Sequence, residues 1–156
     1  MAVLNIIEGS VDTLQGNEYH PEGDVRNHTL QVFNHAVRES NDVDLVMAAL
    51  THDIGKTECD GPGHEDYSSN ILSRESIFSE KTIWLVYNHM RIRTYIEGEM
   101  KGLKKVIQLS NNSWFADLVK LSRWDNMGRN PNRKMKFDRV DILDRLNNCE
   151  NKKFNF

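Results

Sequence analysis

Cysteine is scarce. Cys59 and Cys149 are the two in a chain of 156 residues, too few and too far apart for a disulfide framework. They are read as reduced thiols, which predicts a cytoplasmic protein. Long apolar runs are absent too. The chain begins Met1-Ala2-Val3-Leu4-Asn5-Ile6-Ile7-Glu8, with no basic flank and an apolar run too short for a signal peptide or a membrane span, so no membrane partner is expected. Without a secretory signal, the glycosylation patterns at Asn27-His28-Thr29 and Asn111-Asn112-Ser113 are taken as chance. A formal net charge of −3 gives no global basic field to attract nucleic acid. No alternating strand pattern and no internal repeat appears, which excludes β architectures and solenoids. The class expected is all-α, in one domain over residues 1–156, a length sufficient to bury a core.

What is present is a succession of helical patterns. Residues 1–18 are weakly patterned. His20-Pro21-Glu22-Gly23-Asp24 cannot hold a regular element, because Pro and Gly interrupt it. From Val25 the spacing becomes helical, with Leu30, Phe33 and Val37 on one face and Ala36 beside them. Ser40-Asn41-Asp42 breaks that helix and can cap the next one, Val43 to Leu50, whose nearly unbroken apolar character predicts a buried, central element. Gly55 is expected just past its end. Residues 56–65 read as a loop shaped by Gly61-Pro62-Gly63. Helical spacing resumes at Tyr67 and Ile71, and again after Ser79 through Ile83, Trp84, Val86 and Tyr87. Residues 91–112 are charged and irregular, a short helix followed by an excursion near a site mouth. Ser113 is expected to cap an amphipathic helix bearing Trp114, Phe115, Leu118, Val119, Leu121 and Asp125, ended by Gly128. Phe137, Val140, Leu143 and Leu146 mark a last helix, and the polar tail after about residue 147 is expected to fray.

The stretch around which this is organised is Thr51-His52-Asp53-Ile54-Gly55-Lys56. Adjacent helix residues point roughly 100° apart, yet an imidazole nitrogen and a carboxylate oxygen can still converge on one ion. A helix C-terminus carries partial negative charge and favours a cation there. Lys56 adds a positive group suited to an anionic substrate. An isolated His-Asp pair is more often an ordinary helix end, so the rest of the chain must supply a cluster. The candidates are His28, His52, Asp53, His64, His89 and Asp125, several of them near ends of apolar helices that a bundle can bring to one point. Mixed His and carboxylate ligands suit Mn²⁺, Fe²⁺, Co²⁺, Ni²⁺, Zn²⁺ or Mg²⁺. Water held by such an ion becomes acidic enough to attack phosphorus.

His20-Pro21-Glu22-Gly23-Asp24-Val25-Arg26-Asn27-His28-Thr29-Leu30, Ala49 to Lys56, Gly63-His64, Asn88-His89 and Arg123-Trp124-Asp125-Asn126-Met127-Gly128-Arg129 together resemble the HD superfamily of metal-dependent phosphohydrolases. The match is closer still to the HD domain of bacterial tRNA nucleotidyltransferases, the CCA-adding enzymes. It runs from His20 to about Pro131, with no nucleotidyltransferase domain beside it, and the chain is read as an HD module standing by itself. The resemblance implies a helical bundle with the metal site in its core. It implies that His28, His52, Asp53 and Asp125 hold a principal metal. His64 and His89 then hold a second ion, bridged by Asp53, or contact the phosphate. Asp53 and His64 are implied as catalytic, and Lys56 and Arg129 as substrate-binding. Substrates expected from it are nucleotides, phosphorylated small molecules or RNA ends. Hydrolysis of 2′,3′-cyclic phosphodiesters and of 2′-phosphates comes first. Nucleotidase or triphosphate hydrolase action, a weakly catalytic nucleotide- or RNA-binding module, and a two-iron oxygenase are the alternatives.

The remaining polar residues invite plainer readings. His35 lies two turns after His28 and is taken as structural, and His20 as a loop residue. Lys120, Arg123, Arg129, Arg133, Lys134 and Lys136 make a locally basic strip, more often a solvated face than a guide for nucleic acid. Trp84, Trp114, Trp124 and Tyr87 fit core spacing.

Overall fold

The central element of the computed structural model is α3, Val43–Thr51, in which every residue but Asp44 is buried. Its sequence has no polar stripe, so it can be stable only with neighbours all round. It has them: α2 (Val25–Glu39), α5 (Glu80–Asn88), α8 (Phe115–Met127) and α9 (Arg139–Asn147) pack against it. Asp42 starts α3 by accepting from the Asp44 amide at 3.0 Å, as its cap position requires. The structure describes residues 1–10 and 24–156. His20 and the rest of its Pro-Gly stretch to Gly23 lie outside those residues. Among the described residues the elements are all helical, α1 (Ala2–Gly9), α4 (His64–Ser73), α6 (Arg91–Ile96) and α7 (Leu103–Ser110) completing the set.

Two glycines set how closely the helices approach. A Cβ on Gly128, which follows α8, would stand 2.5 Å from Val32 Cγ2 and 3.1 Å from the Val32 amide nitrogen. Glycine there lets the end of α8 press onto α2, which carries Asp125 to His28. A Cβ on Gly55 would lie 2.3 Å from the His64 carbonyl oxygen and 2.4 Å from the Ser68 nitrogen. Gly55 is therefore not the open-conformation residue after a helix. It sits in a 3₁₀ turn, Ile54–Thr57, flush against α4, and donates its amide to Ser68 Oγ at 2.7 Å. That contact is what brings His64 beside the dyad.

Several local expectations are corrected. The weakly patterned start contains α1, which buries Val3, Leu4 and Ile7 at helical spacing. The irregular stretch contains α6 and α7, separated at Gly98 and Gly102. Ser113 does not cap α8; Asn112 Oδ1 accepts from the Trp114 amide at 2.8 Å instead. On α8 Val119 is exposed, and on α9 Val140 is exposed while Ile142 and Leu146 are buried. The tail is docked rather than loose. The Glu150 amide donates to Asn41 O at 2.7 Å, and Glu150 O accepts from the Val43 amide at 3.2 Å. Asn147 closes the loop by bonding both backbone groups of Phe156 at 2.8 Å.

Buried amides on α2 make a latch that hydropathy does not reveal. Asn27 donates to Arg133 O (3.0 Å) and accepts from the Met135 amide (2.7 Å). Gln31 donates to Asn130 O (2.9 Å) and accepts from the Asn130 amide (3.0 Å). Buried polar groups are affordable only when paired in this way. The segment after α8 is thereby tied to the helix that carries His28.

Candidate metal centre

Five helices, α2, α3, α4, α5 and α8, deliver six side chains to one buried point. His28 stands in the first turns of α2, and Asp125 in the last turn of α8. Their contact, His28 Nε2 to Asp125 Oδ1, is 2.9 Å. His52 Nε2 lies 3.3 Å from His28 Nε2 and 3.2 Å from Asp53 Oδ2. On the other side of the same carboxylate, Asp53 Oδ1 lies 3.1 Å from His64 Nε2 and 3.3 Å from His89 Nε2. The arrangement is two donor groups sharing one residue: His28, His52, Asp53 and Asp125, then Asp53, His64 and His89, each with its atoms within 4.8 Å of one another.

The histidines are held by their outer nitrogens. His52 Nδ1 faces Ala49 O at 2.9 Å, and His89 Nδ1 faces Val86 O at 2.6 Å. Both cap a helix and reach the carbonyl three residues back, in the turn where the regular ladder runs out; Val86 O also takes the His89 amide, at 3.4 Å. His64 Nδ1, at the start of α4, meets the loop carbonyl Gly61 O at 3.2 Å, and His28 Nδ1 meets Gly128 O at 2.9 Å. A carbonyl can only accept, so each Nδ1 carries the proton. In the neutral rings each Nε2 then presents a lone pair inward, the tautomer a metal ligand needs. Pairs of such nitrogens 3.1–3.3 Å apart repel unless a cation lies between them.

Protonation shows the same demand for positive charge. Burial alone lowers the pKa of His52, but the charges and hydrogen bonds of Asp53 and Asp125 outweigh it and hold the imidazole at about 10. Burial alone would raise the pKa of Asp53; the charges of His52 and Lys56 and hydrogen bonds from His52 and His64 pull it well below the usual carboxylate range. Asp125 is lowered likewise, against its burial, by His28 and His52. His89 is pushed down by burial. The donor set is two carboxylates and four correctly tautomerised imidazoles around a point that wants a cation. It fits one or two divalent ions.

Cations stand around this core. Lys56 Nζ is 3.3 Å from Asp53 Oδ2, and Arg129 Nη2 is 3.3 Å from Asp125 Oδ1. All eight residues singled out from the sequence thus lie in one cluster. His35 belongs to neither donor group. Arg93 was missed: its Nη2 lies 3.7 Å from Asp125 Oδ2. The available signal was its place four residues after His89, hidden because that stretch reads as irregular.

A model of the HD domain matches residues 25–146, and the chain belongs to the HD domain family, within a superfamily of metal-dependent hydrolases. Its similarity to individual proteins is local. A stretch of 51 residues is 47% identical to the Multifunctional CCA protein of Nitrosococcus oceani, covering 33% of this chain and 12% of that protein. For the Multifunctional CCA protein of Thioalkalivibrio sulfidiphilus the figures are 44% over 64 residues, 37% of this chain and 16% of the relative. For that of Burkholderia mallei they are 33% over 76 residues, 45% and 18%. The chain therefore spans less than a fifth of each of these relatives. Among the described residues no helix is long and apolar enough to cross a membrane.

Proposed function

We propose that the chain is a phosphohydrolase acting on nucleotides or on terminal phosphates of nucleic acids, with 2′,3′-cyclic phosphodiesters and 2′-phosphates as preferred substrates. The observation that carries the reading is Asp53, shared by two donor groups and flanked by Lys56, with Arg93 and Arg129 on the neighbouring carboxylate. The preference for cyclic and 2′-phosphates rests on the resemblance to CCA-type HD domains. The free thiols Cys59 and Cys149 suit a reducing, cytoplasmic setting.

A divalent ion at this centre supplies Lewis acidity, which acidifies water and draws charge from a phosphoryl oxygen. His28, His52, Asp53 and Asp125 would hold the principal ion, the two rings fixed by their outer nitrogens. His64 and His89, with Asp53, would hold a second ion or take the phosphate itself. Asp53 and His64 form the reacting face. Among the described residues Asp53 and Asp125 meet three cationic side chains here, with Glu65 Oε2 3.9 Å from His64 Nδ1, so a divalent ion would make the site positive, suited to a phosphate dianion. Arg129 and Arg93 orient its outer oxygens as rigid forks, and Lys56 acts as a point charge.

The test is a substrate panel with Mg²⁺, Mn²⁺, Co²⁺ and Ni²⁺, covering 2′,3′-cyclic nucleotides, 2′-, 3′- and 5′-nucleotides, di- and triphosphates, and a generic aryl phosphate. Hydrolysis strongest on 2′,3′-cyclic or 2′-phosphates is expected. Activity confined to 5′-nucleotides overturns the preference, and no hydrolysis with any metal overturns the enzyme.

A further inference from the structure

A pocket away from the metal centre lies against α5, α6 and α7. It is a cavity of about 420 Å³ whose lining includes Trp84, Tyr87, Asn88, Arg91, Lys101 and Lys105. Cavities of roughly 300–1,000 Å³ are the usual size for small-molecule sites. Among the described residues three cations line it and no Asp or Glu does, although the chain carries more acids than bases. Such segregation of charge against the overall composition favours an anion.

The rest of the lining favours an aromatic anion. The Trp84 ring is held edge-on against Trp114, with centroids 5.8 Å apart. Arg91 stacks over Tyr87, its guanidinium carbon 4.5 Å from the ring centroid, and donates to the Tyr87 hydroxyl at 2.8 Å. This arginine is thus positioned before any ligand arrives. Asn88 is only 5% exposed and donates its amide to Trp84 O at 2.9 Å, which leaves Oδ1 as an acceptor at the wall. None of the metal-centre residues lines the cavity. Arg91 and Arg93 are two residues apart on α6, about 200° around a helix, so one arginine serves the cavity and the other faces Asp125.

We infer that this cavity is a nucleotide-binding site separate from the metal centre. The base lies against the Trp84–Tyr87 wall with Asn88 Oδ1 accepting from its polar edge, and Arg91, Lys101 and Lys105 hold the phosphate. The nucleotide is either free or the end of a strand, since both present the same base and phosphate. The inference does not depend on the hydrolytic reading.

Calorimetry on the full chain with chelator present isolates this site from the metal centre and from turnover. The probes are AMP, adenosine, inorganic phosphate and a short oligoribonucleotide. AMP should bind one to one, at least tenfold tighter than adenosine or phosphate alone. The exposed pair Lys101→Glu and Lys105→Glu should weaken AMP tenfold or more without moving the thermal midpoint. Oligoribonucleotide affinity above that of AMP assigns the site to strand ends, and equal affinity to free nucleotide. Absence of binding by both AMP and the oligoribonucleotide overturns the inference. So does AMP binding indifferent to the two lysines.

Discussion

The metal centre and the α6–α7 flank beside it are built by opposite rules. In the centre every donor is buried, every imidazole has its outer nitrogen tied to a carbonyl, and two glycines admit contacts no side chain would allow. On the flank, Ile96, Leu103 and Ile107 are exposed, Ile92 and Leu109 are the buried anchors, and Arg91, Lys101 and Lys105 are exposed. The difference teaches where precision is needed. Holding an ion requires fixed donors, whereas gripping a flexible polyatomic anion tolerates mobile lysines.

The comparison breaks most visibly on leucines. Leu50, fully buried in α3, should cost about 2–5 kcal/mol when cut to alanine, with its cavity left among packed helices. Leu103→Ala on α7, 76% exposed, should stay within about 0.5 kcal/mol of wild type. Denaturant melts of both variants check this, and equal losses would mean that the flank is part of the core.

Glycines sharpen it further. Gly55→Ala forces a Cβ onto the His64 and Ser68 backbone and should destabilise by about 1–3 kcal/mol, moving His64 off the dyad. Gly61→Ala meets nothing within 4 Å and should be neutral. Thermal midpoints distinguish the two, and histidine proton shifts report the displacement.

These contrasts also explain what the residues themselves announced. Helices α2, α3, α5 and α8 are legible because their apolar spacing reflects burial directly. His28, the dyad and Asp125 are legible because groups able to hold a metal stand at helix ends, and the resemblance to HD domains marks the same positions. Helix α7 is hard to read because Leu103 and Ile107 are exposed and Leu109 alone of its residues is buried. Arg93, the Asn27–Gln31 latch and the docked tail depend on partners more than 30 residues away in sequence, which no local pattern encodes. Gly55 follows the end of α3 as expected, and its role there is a close approach to α4.

At the rim of the centre, Arg93→Ala and Arg129→Ala each should lower kcat/KM about 10–100-fold while metal content stays intact, the scale on which groups behind metal ligands act. Steady-state kinetics beside elemental analysis checks both, and an unchanged rate in Arg93→Ala would remove it from the site.

The smallest effect concerns Glu39, on the surface where α2 meets α8. The Trp124 indole N–H donates to Glu39 at 2.7 Å, and together with Arg123 this lowers its pKa below the usual 4.5 despite some desolvation. A carboxylate with a depressed folded pKa stabilises the protein above its unfolded value and loses that contribution as pH falls through the folded one. Glu39→Gln should therefore melt slightly lower than wild type at pH 7, with the gap closing below pH 4.5. Paired thermal melts across pH read it, and a gap that widens in acid would reverse the sign.

The central claim is that Asp53 serves both donor groups while His64 serves one. Elemental analysis of purified wild type, Asp53→Ala and His64→Ala, each confirmed folded by circular dichroism, tests it directly. Wild type should hold a divalent transition metal, His64→Ala should keep the principal ion, and Asp53→Ala should hold none. Full metal occupancy in Asp53→Ala would contradict the account.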